Sequence, residues 1–223
     1  MKKKNTLLLF LCLFSLWAVA QEKRPVKIAC VGNSITYGSG IKNQFQNSYP
    51  GLLSQLLGEG YDVRNFGISA RVLLNKGDHP YMHEQKFRDL LAFQPDIVTI
   101  KLGTNDSKPW NWRYGKDFKK DLTEMLDILQ ELPSKPKIYL PVVDLYALLK
   151  PYPDYYTDGI HPNEQGAALI AGELYRTLTG NEAPAIVTDQ PFPGKKSQWE
   201  GFDRYDFICN TRRAIVVAPR KVA

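Results

Sequence analysis

The sequence predicts an α/β fold, a three-layer sandwich in which helices cover both faces of a parallel β-sheet. Short apolar runs typical of buried strands alternate along the chain with longer segments in which apolar residues recur at helical spacing. Such alternation is expected when parallel strands are joined by helical crossovers, because the chain must return to the same end of the sheet. About 200 residues are enough for one domain of this kind with a sizeable core.

Each predicted element is bounded by ordinary start and stop signals. Strands are predicted, in chain order, at 26–31, 62–66 and 96–102, and each is followed by a glycine. Helices are predicted at 50–57, 87–93, 117–132 and 163–179. Pro50 stands at an early helical position, where its missing N–H is tolerated, Pro133 stops the third helix, and Gly180 is a C-cap for the last one.

The first twenty residues predict a secretory signal peptide. Three lysines at 2–4 precede an apolar run at 7–19, and Ala18-Val19-Ala20 supplies a small-residue cleavage site. A retained anchor is the alternative, but the run is shorter than the roughly 20 residues of a membrane span. Removing residues 1–20 takes away three lysines and no acid, so the net charge falls from +6 to +3. We therefore expect a secreted or periplasmic protein with no stable membrane span and, without a basic stripe, no nucleic-acid partner.

Neither a metal nor a cofactor is predicted. His79 and His83 are four residues apart, but Pro80 disfavours a helix between them and no acidic or cysteine partner lies at a metal-ligand spacing. Cys30 lies within the first apolar run and is predicted to be a small core residue. A disulfide between Cys30 and Cys209 stays open as an alternative.

Three residues are predicted to form a hydrolytic triad. Ser34 lies in Gly32-Asn33-Ser34, just beyond the first strand, and Asp158-Gly159-Ile160-His161 lies just before the last helix. A serine hydroxyl is a poor nucleophile until a base removes its proton, and that base must be held in one tautomer by a third group. Asp158 and His161 are three residues apart and can meet locally at the start of a helix. The fold then has only to bring in Ser34.

Four sequence blocks resemble, in order, the marker blocks of the SGNH, or GDSL-like, hydrolase family. They are Gly32-Asn33-Ser34-Ile35-Thr36, Asn65-Phe66-Gly67, Gly103-Thr104-Asn105-Asp106 and Asp158-Gly159-Ile160-His161-Pro162. The resemblance covers residues 26–180 and implies a flavodoxin-like SGNH hydrolase fold, with its site beyond the carboxyl ends of the strands. It also implies that Ser34 is the nucleophile, that His161 is the general base, and that Asp158 orients the imidazole.

The resemblance further implies an oxyanion hole and a reaction that needs no cofactor. The donors would be the N–H groups of Ser34 and Gly67 and the side-chain amide of Asn105. Gly67 has no side chain to block the substrate, and Asn105 supplies a neutral donor. Taken alone, Gly67 can equally be a strand end, and Asn105 a turn or capping residue.

Aromatic residues follow Asn105 in the same loop. Trp110, Trp112 and Tyr114 are flanked by Lys108 and Arg113. Two interpretations stay open, since these rings can be packed inside the protein or can stack on sugar rings of a substrate.

One stretch departs from the family pattern, which has a fourth strand, a helical crossover and a fifth strand before the Asp-x-x-His block. Here residues 137–146 run like the fourth and fifth strands fused, with Pro141 in the middle. Parallel neighbours need a crossover of about a dozen residues, so one strand and its crossover helix are predicted to be missing. The alternative is a single strand over 137–146 in a smaller but complete sheet.

The segment after Gly180 predicts further divisions of the chain. Residues 181–198 are rich in proline and predict a linker. Residues 199–223 contain two predicted strands, at 199–207 and 214–218, which resemble the truncated start of a second domain of α/β-hydrolase type. Two strands alone are marginal, so they would dock on the first domain or stay mobile.

The sequence therefore predicts a secreted serine ester hydrolase. Its substrate would be a small-molecule or oligosaccharide ester, and the favoured reaction is removal of an acyl group, above all acetyl, from carbohydrate through an acyl-serine intermediate. A lipid or thioester acyl hydrolase is the first alternative. A catalytically inactive fragment or sugar-binding protein is the second, because of the missing crossover.

Overall fold

The computed structural model of the protein describes residues 24–140, 145–186 and 215–217. Within these residues one mixed sheet has the strand order β2-β1-β3-β4-β5. The strands are β1 (Val26–Gly32), β2 (Tyr61–Gly67), β3 (Ile97–Lys101), β4 (Lys137–Leu140) and β5 (Ile215–Val217). The first four are parallel, and β5 pairs with β4 in the antiparallel sense. The predicted α/β class with a parallel sheet is confirmed.

The register of β1 with its two neighbours, β2 and β3, brings the carboxyl ends of these strands level. Gly32, the last residue of β1, is opposite Gly67 in β2 and opposite Lys101 in β3. Because all three strands run in the same direction, the residues that follow these ends emerge at one edge of the sheet. Asn33, Ile68 and Leu102 follow these ends directly, and Ser34 is the second residue after β1.

Helices cover both faces of this sheet. They are α1 (Ser34–Tyr37), α2 (Gln44–Asn47), α3 (Tyr49–Leu57), α4 (Gln85–Phe93), α5 (Pro109–Trp112), α6 (Phe118–Gln130), α7 (Leu145–Leu149) and α8 (Glu164–Thr179). One core joins the sheet to α4 and α6, with Leu90 and Met125 fully buried. The other joins it to α3 and α8, with Leu53 and Ala171 fully buried. The three predicted layers follow from these two apolar faces.

Cys30 points into the second of these cores. The side chain is fully buried, and burial raises the pKa of its thiol to about 12. A neutral, inaccessible thiol behaves as a small apolar residue, as predicted. Cys209 lies outside the described residues, so the alternative disulfide stays a prediction.

The strand prediction for 137–146 is wrong at its last two residues, Leu145 and Tyr146. The strand β4 ends at Leu140, residues 141–144 lie outside the described residues, and Leu145 and Tyr146 begin helix α7. Proline has no N–H to give to a ladder, so a strand does not continue easily through Pro141. The sequence Leu145-Tyr-Ala-Leu-Leu149 places leucines at helical spacing, and Leu149 packs into the core that contains α8.

The termini add two observations. Residues 1–20, predicted to be a signal peptide, lie outside the described residues, as does the predicted strand at 199–207. Across 24–140 and 145–186, no helix has the length and apolarity that a membrane crossing requires. Residues 215–217, inside the predicted strand at 214–218, form β5 on the outer edge of β4. The predicted division of the chain into a linker and a second domain stays a prediction.

Candidate active site

Ser34 stands at a sharp turn from β1 into α1. The Asn33 side chain accepts a hydrogen bond from the Ile35 N–H over 3.2 Å, which caps the short helix and fixes Ser34 as its first residue. Gly32 allows this turn because a Cβ there would lie 2.1 Å from Thr36 Oγ1. The strand therefore ends in a glycine for a steric reason, and Ser34 is presented at the edge of the sheet.

His161 is brought to Ser34 across 127 residues of sequence. Its ring Nε2 lies 2.9 Å from Ser34 Oγ, and its Nδ1 lies 2.7 Å from Asp158 Oδ2. Asp158 Oδ1 accepts the main-chain N–H groups of Ile160 and His161, so the carboxylate also shapes its own loop. The three predicted triad residues thus form one continuous series of hydrogen bonds. The loop precedes helix α8, whose N-cap is Asn163.

The charge state of Asp158 fixes the tautomer of His161. Burial alone would raise the pKa of the Asp158 carboxyl, but hydrogen bonds from the main chain and ring of His161 outweigh it and lower that pKa below its ordinary value. An ionised carboxylate only accepts, so His161 Nδ1 carries the proton and Nε2 is left to accept from Ser34. This is the protonation state that a general base needs.

Thr157 holds the base from behind, a role that the sequence did not indicate. Both its N–H and its Oγ1 donate to the main-chain oxygen of His161, over 2.8 and 3.1 Å. A Cβ at Gly40 would lie 2.7 Å from Thr157 Oγ1. Gly40 thus lets the loop after α1 pack closely on the loop that carries the histidine.

Besides Ser34, the predicted oxyanion donors are Gly67 and Asn105, and the Gly67 N–H already has a hydrogen-bond acceptor. The Gly67 N–H donates to Asn65 Oδ1 over 2.8 Å, and Asn65 Nδ2 in turn donates to the Thr36 main-chain oxygen. A Cβ on Gly67 would lie 2.3 Å from the Tyr37 nitrogen, so the glycine is needed for packing against α1. For a substrate oxyanion to use this N–H, it must share it with Asn65.

Asn105 is nearly buried, with 8% of its surface exposed. Its Nδ2 donates to the Arg71 main-chain oxygen over 3.1 Å, and its own main-chain oxygen accepts from Asn111 Nδ2 over 3.0 Å. A second hydrogen on Nδ2 is available to a further acceptor. The side chain is therefore fixed by its neighbours before any substrate binds.

Asp106 anchors the loop that follows β2. Its Oδ1 accepts the N–H groups of Leu73 and Leu74, each over 2.8 Å. The residue is fully buried, and this burial raises the pKa of its carboxyl, although the two N–H groups partly offset the shift. Asp106 thereby ties the Gly67 loop to the Asn105 loop. Its position beside Asn105 in the third block was the available signal, but the sequence does not say what it bonds.

The three aromatic residues predicted to bind substrate differ in exposure and in their ring contacts. Trp110 is 53% exposed. Trp112 packs against Phe118 with ring centroids 6.1 Å apart, and the Tyr114 ring lies under the Arg113 guanidinium. Of the two interpretations left open by the sequence, packing fits Trp112, and an accessible ring is found at Trp110.

The chemistry available at this edge is that of a nucleophilic hydroxyl with a general base. In the part of the chain that the structure describes, no three His, Cys, Asp or Glu side chains are grouped as metal ligands. A Ser-His-Asp hydrogen-bonded chain beyond the carboxyl ends of parallel strands is the arrangement typical of serine hydrolases on α/β folds.

Residues 30–151, more than half of the chain, match the model of the GDSL-like lipase/acylhydrolase family. The chain belongs to this family.

An acetylxylan esterase from Xylanibacter ruminicola is 39% identical to the chain over 205 residues, covering 68% of this chain and 43% of the relative. The chain thus spans less than half the length of this curated relative. Since 68% of 223 residues is fewer than 205, the relative also has residues within the matched span that this chain lacks.

Two solved structures show the same fold. A two-domain esterase active on acetylated mannans superposes with a TM-score of 0.56 at 19% identity, over 79% of this chain and 56% of that one. A Parabacteroides merdae protein described as a GDSL-like lipase superposes with a TM-score of 0.53 at 22% identity, over 71% of this chain and 97% of that one. At these identities the superpositions support the SGNH hydrolase fold and nothing finer.

Proposed function

We propose that the protein hydrolyses carboxylic esters through an acyl-serine intermediate and that its substrates are acetylated carbohydrates. The observation that carries the proposal is the continuous contact from Ser34 Oγ to His161 Nε2, 2.9 Å, and from His161 Nδ1 to Asp158 Oδ2, 2.7 Å. Membership of an acylhydrolase family supports the reaction class.

The reaction follows from the donor and acceptor roles at these atoms. Ser34 Oγ attacks the ester carbonyl carbon while His161 Nε2 takes the hydroxyl proton, and the imidazolium is stabilised by Asp158. The tetrahedral intermediate collapses when the C–O bond to the alcohol breaks and the alcohol takes that proton. Water then attacks the acyl-serine with His161 again as base, which releases the acid and restores Ser34.

Three donors would receive the negative charge of the tetrahedral intermediate. They are the Ser34 N–H, the second hydrogen of Asn105 Nδ2 and the Gly67 N–H. Asn105 is held by Arg71 and Asn111, so little reorganisation is needed at the moment of reaction. Gly67 contributes once its bond to Asn65 is shared with the oxyanion.

The carbohydrate part of the proposal has two supports. The relative at 39% identity is an acetylxylan esterase, and the loop beside Asn105 presents the exposed indole of Trp110, a surface that suits the apolar face of a sugar ring. Export through the predicted signal peptide at 1–20 would bring the enzyme to polysaccharide outside the cytoplasm. Lipid or thioester hydrolysis, or an inactive sugar-binding fragment, are the competing functions.

The test compares wild type with Ser34→Ala on p-nitrophenyl acetate, p-nitrophenyl esters of longer acids and acetylated xylo-oligosaccharides. Loss of the hydroxyl should abolish turnover of all esters and leave the circular dichroism spectrum unchanged, since the substitution is sterically mild. Ser54→Ala, on α3, is the matched control. Turnover by Ser34→Ala would disprove the nucleophile, and a preference for long acyl chains would favour the lipase alternative.

A further inference from the structure

A small polar cluster joins the exposed tryptophan to the Asn105 loop. Its members are Asp78, from the loop after β2, and Trp110 and Asn111, from α5. Asp78 uses both carboxylate oxygens: Oδ2 accepts from Trp110 Nε1 over 3.1 Å, and Oδ1 accepts from Asn111 Nδ2 over 3.0 Å. None of these three residues takes part in the bond-making and bond-breaking steps proposed above. Asn111 entered there as a residue that holds Asn105, and Trp110 as an exposed indole.

Asn111 is the buried centre of the cluster, with 1% of its surface exposed. Its Nδ2 also donates to the main-chain oxygen of Asn105 over 3.0 Å, and its Oδ1 accepts the Asp78 N–H over 3.0 Å. One side-chain amide therefore bonds both the loop that carries Asp78 and the residue proposed to bind the oxyanion. A buried amide with several partners has little freedom to move.

Trp110 is accessible but not free to rotate. Its ring N–H is bonded to Asp78, and the Lys108 ammonium lies 5.7 Å from the ring centroid. An indole whose polar edge is already paired offers its apolar face without leaving a donor unsatisfied when water is displaced. A ring that is held in place before binding also loses less side-chain entropy when a ligand stacks on it.

We propose that Asp78 and Asn111 are positioning residues that hold Trp110 as a stacking surface for a sugar ring of the substrate and fix this surface relative to Asn105. The inference rests on the proposed function, because it assigns the saccharide side of that same site. Asp78 acts on binding through Trp110, whereas Asn111 acts on both the tryptophan loop and the oxyanion donor. The two residues should therefore affect different kinetic constants.

The first experiment measures kcat and KM of Trp110→Ala, Asp78→Ala and the double variant on p-nitrophenyl acetate and on acetylated xylo-oligosaccharides. Each single variant should raise KM for the saccharide roughly 2- to 10-fold, the range expected for one stacking contact, and should raise KM for p-nitrophenyl acetate by a smaller factor, because that ester has no sugar ring to stack. The double variant should be no worse than Trp110→Ala, because Asp78 acts through that ring. Phe45→Ala, at another exposed aromatic residue, should change neither kcat nor KM on either substrate.

The second experiment concerns Asn111→Ala. It should lower kcat on both substrates and leave KM for p-nitrophenyl acetate unchanged, because Asn105 loses the donor that holds its main chain. If this variant does not fold, judged by circular dichroism, Asp78→Asn tests the cluster through the carboxylate that Trp110 and Asn111 share. It keeps one acceptor of the two, so its saccharide KM should lie between those of wild type and Asp78→Ala.

Calorimetric titration separates this inference from the proposed function. Inactive Ser34→Ala should bind acetylated xylo-oligosaccharide, and the added Asp78→Ala change should weaken that binding by the same 2- to 10-fold factor. Equal binding in both variants, additive losses in the double variant, or equal losses on aryl acetate would overturn the positioning role. A wild-type enzyme without activity on either ester would instead overturn the proposed function.

Discussion

At the scale of single residues, Asp158 does two things that only a carboxylate does together. One oxygen organises the loop by accepting hydrogen bonds from two main-chain N–H groups. The other accepts a hydrogen bond from the protonated ring nitrogen of His161. An asparagine would keep the first function with its Oδ1. Its amide nitrogen, facing the ring, would then force the opposite histidine tautomer, in which Nε2 carries the proton.

We therefore expect Asp158→Asn to fold normally and to lose about 10⁴-fold in kcat, as when the acid of such a triad is replaced by its amide. A histidine with a protonated Nε2 has no lone pair with which to take the Ser34 proton. The measurement is kcat on p-nitrophenyl acetate with the melting temperature alongside, and Asp154→Asn in the same loop is the control. A loss under tenfold would mean that Asp158 does not orient the base.

The residues that carry chemistry were predictable from the sequence, whereas the residues that hold them were not. Ser34, Asp158 and His161 occur in short blocks whose residue types match a known reaction, and the structure joins them. Thr157 and Asn111 act through the directions of their hydrogen bonds to neighbouring loops. Such directions depend on how separate loops meet, and the local sequence does not contain them. For the same reason the sequence did not separate Trp110, which is exposed, from Trp112, which is packed.

At the scale of elements, the loop after β2 is stabilised by two carboxylates from other parts of the chain. Asp106 accepts from Leu73 and Leu74, and Asp121 on α6 accepts the Asn75 N–H over 2.8 Å. These bonds satisfy main-chain donors of a loop that is too irregular to pair them itself.

Asp106→Asn and Asp106→Ala should differ sharply in stability. Asparagine keeps an acceptor for both N–H groups, whereas alanine leaves two donors unpaired in a buried site, at a cost of about 2 to 5 kcal/mol in the free energy of unfolding. Urea unfolding of the two variants checks this, with exposed Asp89→Ala as control. Equal stabilities would show that the loop does not depend on this acceptor.

The Asp106 carboxyl should also make the stability of the protein depend on pH. Burial raises the pKa of Asp106 above its ordinary value of 3.8, so above pH 3.8 the unfolded chain loses this proton before the native protein does. Stability that Asp106 contributes in its protonated form is therefore complete below the unfolded pKa and falls as pH rises through the native pKa. Asp106→Asn should lack this fall.

The element boundaries show where sequence reasoning is strong and where it fails. The helix predicted at 87–93 is observed as Gln85–Phe93, and the strand predicted at 62–66 as Tyr61–Gly67, because apolar periodicity and flanking glycines fix long elements locally. The four-residue helix α1 was not predicted. It has no room for a periodic pattern, and it is held by the Asn33 cap and by close packing on Gly67.

At the scale of the whole molecule, the sheet lacks a fifth parallel strand among the described residues, and β5 pairs with β4 instead. The pairs Ile138 with Val217, Tyr139 with Val216 and Leu140 with Ile215 form this antiparallel ladder. A small, partly open cavity of about 20 Å³ lies between β3, α3 and α8, with Leu145 of α7 on its wall. A missing crossover and strand would leave the sheet edge and the core less well packed at these places.

The triad itself rests on other parts of the sheet. Ser34 follows β1, which lies between β2 and β3, and His161 sits on a loop held by Thr157 and by Asp158. Damage at the β4 edge should therefore lower stability before it lowers activity. This separation allows the contribution of β5 to be measured without confusing it with catalysis.

We predict that a chain ending at Ile186 has a lower melting temperature than a chain ending at Val217, which keeps β5. Without β5, the N–H and C=O groups on the outer side of β4 lose their partners, and each lost hydrogen bond costs about 0.5 to 1.5 kcal/mol net. The drop should amount to several degrees, with kcat on p-nitrophenyl acetate at 25 °C unchanged, and the uncovered edge should make the shorter chain more prone to aggregate. Calorimetry measures the melting temperatures of the two chains, and light scattering measures their aggregation. The full chain is the control that shows whether loss of residues 218–223 has an effect of its own. Equal melting temperatures would show that β5 adds nothing to the sheet, and that β4 is stable as an edge strand in a smaller but complete fold.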